Sequence, residues 1–219
     1  IYIYFFIFFL TYTYLIVADI NIDRYNNVIS TGNVYFLSNI GTPGTHKPNH
    51  NNFNHDAYIL KLNPNGIREW GTFYGGPFEE NIFGSAIDRN DNIIIVGYTE
   101  SFTEIASAYA HQKTKTGYTK DGFIAVINSL GQRGWGTYYG GSGDDILKDV
   151  TLDEAANIYV IGETSSNDNM IFGSPHQGIK DGPIDAFLAY FSFSGDIIFG
   201  TYYGGEHNEY FNKIDYANQ

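Results

Sequence analysis

A seven-residue string returns three times at a nearly constant interval. It reads Trp70-Gly-Thr-Phe-Tyr-Gly-Gly76, then Trp135-Gly-Thr-Tyr-Tyr-Gly-Gly141, then Phe199-Gly-Thr-Tyr-Tyr-Gly-Gly205, with starts 65 and 64 residues apart. Other markers keep the step: Asp23, Asp88 and Asp153; Asn27, Asn92 and Asn157; Gly32, Gly97 and Gly162; His46, His111 and His176. Asp56, Asp121 and Asp185 open a further block, Asp-Ala-Tyr-Ile-Leu, Asp-Gly-Phe-Ile-Ala and Asp-Ala-Phe-Leu-Ala. Such a period builds one supersecondary unit per repeat and buries apolar faces between neighbours. It dictates the scaffold. Function has to be argued from a site on that scaffold.

Each unit reads as four strands. In the second they are expected at 83–88, 92–99, 123–128 and 133–139, rich in β-branched and aromatic residues and separated by Gly, Asn and Asp clusters. The link Asp88-Arg-Asn-Asp-Asn92 and the links Asn63-Pro-Asn-Gly66, Asn128-Ser-Leu-Gly131 and Ser192-Phe-Ser-Gly195 read as hairpin turns. Ile93-Ile-Ile-Val96 and Phe123-Ile-Ala-Val-Ile127 are apolar on both faces, so each sheet must be covered on both sides. Gly84 and Ala86 lighten the first strand, which suits a crowded centre; Trp135 and Tyr139 load the last, which suits a wide outer part. The fold expected is an all-β propeller with one four-stranded antiparallel blade of about 65 residues per repeat. Tandem immunoglobulin-like sandwiches need about 100 residues each.

Together, Asp-x-x-x-Asn-Ile-Tyr-Val-x-Gly-x-Thr, Asp-Ala-Phe and Trp-Gly-Thr-Tyr-Tyr-Gly-Gly resemble the bacterial β-propeller repeat called SBBP, over about residues 17–217. The resemblance implies a propeller in a large extracellular or cell-surface protein and implies no particular activity. Gly32-Asn-Val departs from the pattern of Gly97-Tyr-Thr and Gly162-Glu-Thr. Blades are expected at 17–74, 82–139 and 147–203, with the first strand of a fourth in 210–219. Closed propellers use about 4–8 blades. Three make a partial propeller, so the chain, which starts with Ile, is expected to be a stretch of a longer product or a piece completed by another copy. Residues 1–16 form a separate apolar, uncharged run. A signal or anchor, an aberrant strand and non-native sequence are the three readings of it.

The net charge of −12 argues against nucleic acid as a partner and leaves room for divalent cations. The chain has no cysteine, which excludes disulfides and thiolate metal sites. In an antiparallel meander the second-to-third links and the links between units share one end. The former are long, about 38–55, 100–120 and 165–184, and per-repeat insertions on one face often form a binding surface. The latter add Glu79, Glu80, Asp144, Asp145, Glu206 and Glu209, a candidate ligand-binding rim for Ca²⁺ or sugar hydroxyls. The competing reading is that each carboxylate caps backbone N–H groups in its own tight loop. His46, His50 and His55 are candidate metal ligands. The Trp and Tyr of the strings fit either sugar stacking or packing between blades. No nucleophile elbow, phosphate loop or zinc-protease motif appears. The leading expectation is a non-catalytic extracellular or cell-surface scaffold that binds a glycan or protein ligand, with adhesion as one use. The alternatives are a polysaccharide lyase or hydrolase using the central funnel, with Glu163 as the residue that breaks the repeat, and a ligand-free spacer.

Overall fold

In the computed structural model the described residues are 14–35, 39–50 and 55–217. They form three four-stranded antiparallel sheets, each a simple meander in chain order. The first holds β1 (Tyr14–Ile22), β2 (Val28–Tyr35), β3 (Asp56–Leu62) and β4 (Arg68–Tyr74). The second holds β5 (Glu80–Ile87), β6 (Ile93–Thr99), β7 (Asp121–Ile127) and β8 (Arg133–Tyr139). The third holds β9 (Asp145–Leu152), β10 (Ile158–Thr164), β11 (Asp185–Phe191) and β12 (Ile197–Tyr203). The period-2 geometry of a strand explains the doubly apolar runs. Ile93 and Ile95 join a core shared with Ile29, Ile59 and Tyr74 of the first sheet. Ile94 and Val96 join a second core, shared with Val150, Val160 and Phe187 of the third. The middle sheet is thus covered on both faces.

The opening strand of each later sheet crosses the sheet before it: β5 packs on β1, β2 and β3, and β9 packs on β5, β6 and β7. Gly84 permits this approach, since a Cβ there would lie 2.9 Å from the Cα of Asp149. Asn33, where the first repeat departs from the others, stitches the first crossing. Its Oδ1 accepts the Ile82 N–H at 2.8 Å, beside the bulge between Ile82 and Gly84.

Several boundaries differ from expectation, and three of them bear on the junctions. β5 starts at Glu80, not 83, because its first residues are held in the ladder opposite Thr99 and Tyr98. β1 starts at Tyr14, so residues 14–16 belong to the first sheet and not to a separate segment. The rest of that apolar run, 1–13, lies outside the described residues. Residues 209–217 follow the path of an opening strand without forming one: the Glu209 N–H donates to Ile184 O, as Glu80 does to His55 O and Asp145 to Lys120 O. Among the described residues no strand pairs with this segment.

The long second-to-third links do not simply stand out from one end. Each folds back along the outer edge of the last strand of its sheet. Thr42 N–H donates to Gly71 O, and Phe73 N–H to Lys47 O; Ser107 and Tyr138 make the equivalent bonds to Gly136 O and Gln112 O. In the third sheet Phe172 pairs with Gly200, and Tyr202 N–H donates to Gln177 O. The extra residues of the repeat therefore cover an otherwise open sheet edge.

Candidate functional site

The recurring string is used up in holding the sheets together. Its Trp reaches forward: Trp70 Nε1–H donates to Ser129 O at 3.0 Å, and Trp135 Nε1–H to Phe193 O at 2.9 Å. The acceptors lie in hairpins of the next sheet, where Gly131 and Gly195 at positive φ leave room for the indoles. The Thr hydroxyl accepts a backbone N–H from the folded-back link of its own sheet, at 2.9 Å from each of Lys47, Gln112 and Gln177. The first Tyr bonds within its sheet, Tyr138 Oη–H to Ser101 O and Tyr202 Oη–H to Ser166 O. The second bonds forward, Tyr74 Oη–H to Ile105 O at 2.7 Å and Tyr139 Oη–H to Met170 O at 2.8 Å. Tyr74, Tyr138, Tyr139 and Tyr202 are buried and offer no stacking face.

The structure divides the six expected rim carboxylates. Glu80 and Asp145 are wholly buried. They accept the N–H of Gly76 at 3.0 Å and of Gly141 at 2.7 Å, and the hydroxyls of Thr99 and Thr164 respectively. Glu209, partly exposed, accepts the Gly205 N–H at 2.9 Å in the same way. Each closes the Gly-Gly turn ahead of it, so Glu80 and Asp145 cannot meet a ligand at the surface. Burial pushes Glu80 up to about 7 against the hydrogen bonds that favour its charged form. It pushes Asp145 up to about 7 in the same way. Glu79, Asp144 and Glu206 remain at the surface. Glu79 accepts from Asn81 at 2.7 Å and from the Tyr98 hydroxyl, and Asp144 accepts the Lys120 N–H at 2.9 Å.

Behind each turn sits the Asp that opens the third strand: Asp56, Asp121 and Asp185, all fully buried. Gln112 spans this point in the second sheet, accepting from Gly140 N–H at 3.0 Å and donating to Asp121 at 3.1 Å. Gln177 does the same for Gly204 and Asp185. The first sheet has Lys47 there, which has no acceptor. Its Nζ donates instead to Gly75 O at 2.9 Å and lies 3.4 Å from Asp56.

The three histidines do not converge. His46 packs on the Tyr74 ring, and burial followed by Arg133 and Lys47 lowers it to about 4. His50 is buried 3.5 Å from Asp56. His55 packs at a tilt on the Tyr35 ring and lies 3.7 Å from Glu79. Among the described residues no three His, Cys, Asp or Glu side chains gather where a metal ion could sit. The repeated Asp loops are turns: in each of Asp23, Asp88 and Asp153, Oδ1 accepts the N–H two and four residues on, and Oδ2 accepts the Asn amide. Glu163 is tied to Lys148 at 3.2 Å.

An open cleft of about 490 Å³ runs between the opening strands, lined by Asp19, Asn21, Ser85, Asp149 and Lys213 among others. Its carboxylates are engaged: Asp19 accepts from Ser85 N–H at 3.1 Å, and Asp149 from Ile214 N–H at 2.9 Å and Lys213 Nζ at 3.2 Å. These bonds link β1 to β5, and β9 to the segment 209–217.

One surface cluster was not foreseen from the sequence. Phe78, Phe102 and Tyr118 meet edge to face at the end of the second sheet that carries Glu79 and Asp144, with ring centroids 6.4 Å and 5.6 Å apart. They come from two loops, Phe78 from the link between the first two sheets and Phe102 and Tyr118 from opposite ends of the long link 100–120, so no local motif announces them. The available signal is departure from the period: one repeat later the positions hold Gly143, Asn167 and Pro183.

No curated protein matches the chain. Residues 134–168, which run from β8 through β10, match the family model for the SBBP beta-propeller repeat. That stretch spans both the Trp135 stitch and the Asp145 lock, the features that join one sheet to the next. Over residues 134–168 the chain is thus similar to the β-propeller repeat of the SBBP family.

Proposed function

We propose that this chain is a stretch of non-catalytic β-propeller scaffold that works outside the cell or at its surface and binds a glycan or protein ligand on one rim. The three sheets are three of its blades, and residues from Glu209 on enter the next. Support for further blades comes from Tyr203. It is 54% exposed, whereas its counterparts Tyr74 and Tyr139 are 0% exposed beneath the following sheet. Leu15, Val17 and Ile20 on β1 are likewise uncovered at the other end. The family resemblance supports the location.

The observation that carries the binding role is the division of polar groups. Glu80 and Asp145 are consumed in closing the Gly-Gly turns, and the Trp, Thr and Tyr of the recurring string in holding the sheets together. Glu79, Asp144 and Glu206 stay accessible, one after each Gly-Gly turn, at the same end of the meanders. Rim loops on a rigid scaffold are where recognition is usually placed. The test is the triple variant Glu79→Gln/Asp144→Asn/Glu206→Gln, measured by surface plasmon resonance against immobilised bacterial and plant polysaccharides and cell-envelope fragments. Binding by the parent and at least about a fivefold loss in the variant, with the thermal midpoint unmoved, is the expected result; each lost hydrogen bond to a charged group contributes about 1.5–3 kcal/mol before solvent screening. Equal binding by both proteins, or none by the parent, contradicts the assignment.

A further inference from the structure

We propose that Phe78, Phe102 and Tyr118 form an aromatic platform on which a short oligosaccharide stacks. This rests on the rim reading and names its ligand class. Phe78 is 48% exposed, Phe102 41% and Tyr118 97%, an unusual outlay of ring surface on one loop cluster.

The loops that carry the rings are held in place. The Phe78 N–H donates to Ser101 Oγ at 2.8 Å, which fixes the loop that carries it. Phe102 lies over the buried ammonium of Lys115, 4.7 Å from the ring centroid, and Lys115 Nζ donates to Gly117 O at 3.2 Å, next to Tyr118. The same loop is tied down further along, where Lys120 N–H meets Asp144. A fixed platform loses little freedom when a ligand arrives.

Size and chemistry favour a sugar. A fully buried aromatic side chain covers about 150–250 Å², so two half-covered rings and one open one offer a few hundred at most. A stable protein interface takes about 800 Å² per partner. Ring faces carry negative potential and attract the C–H face of a pyranose. Hydrogen-bonding groups neighbour the rings in sequence: Glu79 follows Phe78, and Lys120, whose ammonium sits 4.2 Å over the Tyr98 ring, is two residues from Tyr118. None of the three rings recurs in the next repeat, and one period before Tyr118 stands Phe53.

The test is isothermal titration calorimetry with hexasaccharides of β-1,4-linked glucose, α-1,4-linked glucose and β-1,4-linked N-acetylglucosamine. The protein is compared with Tyr118→Ala, Tyr118→Phe and Phe78→Ala. Binding of at least one hexasaccharide is expected, with a loss of about tenfold in Tyr118→Ala and retention within about threefold in Tyr118→Phe. Tyr118 is too exposed for its loss to unfold the sheet, and the thermal midpoint checks this. No heat with any of the three sugars overturns the proposal. Binding lost in the Glu79/Asp144/Glu206 triple variant but unchanged in Tyr118→Ala and Phe78→Ala overturns the platform and leaves the rim reading standing. Self-association of the parent that Tyr118→Ala abolishes, without sugar binding, makes the patch a protein contact and overturns it as well.

Discussion

At each junction between sheets a buried carboxylate closes a Gly-Gly turn, and a second one stands behind it. Asp56 raises Glu80, and Asp121 raises Asp145, on top of the larger effect of burial. Burial itself lifts Asp121 to about 6 and Asp56 above its ordinary range. In the unfolded chain these groups titrate near pH 4. Between about pH 4 and about pH 7 the folded protein therefore holds protons that the unfolded chain has released. Stability falls as pH rises through that window and levels off above it. Asp23 works in the opposite sense. Burial would raise it, but hydrogen bonds from Asn27 and Lys61 hold it at about 2, so its contribution is present above about pH 4 and is lost as pH falls toward 2. Thermal unfolding followed by circular dichroism should give a higher midpoint at pH 5 than at pH 8. The double variant Glu80→Gln/Asp145→Asn should flatten that difference. An equal slope in the variant would show that the buried pairs are not its source. Neither carboxylate could be placed from sequence. Glu79-Glu80 and Asp144-Asp145 read as matched pairs on a rim, and only strand pleat decides that the second of each turns inward while the first stays at the surface.

At the scale of the element, the added length of the repeat is an edge cover. The small residue in the second position of each string is what lets it lie down. A Cβ on Gly136 would stand 2.5 Å from Ile105 O and 2.3 Å from Tyr74 Oη; Gly71 and Gly200 meet Ile40 O and Met170 O in the same manner. Gly136→Ala should therefore cost about 1–3 kcal/mol in chemical denaturation, through overpacking between two sheets. Gly134→Ala, where the nearest atom is 3.5 Å away, should cost under about 1 kcal/mol and serves as the control. Similar losses at both sites would mean that the link does not press on the edge of β8. Strand identity, order and the doubly covered middle sheet were legible because Ile93–Val96 and Phe123–Ile127 leave no face for water. The course of the links was not. Their contacts to the edge run through backbone N–H and carbonyl groups, which every residue carries, and only the invariant Gly, Thr and Tyr of the string mark the partner side. The aromatic platform was hidden for a related reason, being assembled from loops that share no spacing.

At the scale of the whole molecule, cohesion between sheets comes from side chains that reach forward by one repeat. Trp70, Tyr74, Trp135 and Tyr139 donate to the following sheet, and Asn33 and Glu80 bond across the first junction. The apolar clusters span the same junctions, so packing and polar stitching act together. The third sheet ends in Phe199, which has no indole donor, and in an uncovered Tyr203. A rigid array of this kind leaves loops at one end free to vary, which is what the proposed rim and platform require. The chain has two Trp residues, and both make the forward stitch. Hydrogen exchange of their two indole N–H groups, followed by NMR at constant pH, therefore reads both junctions directly. Protection of both indoles comparable to that of the amides of β6 and β7 is the result the interlocked array predicts. Exchange of either indole at the rate of a free tryptophan would contradict it.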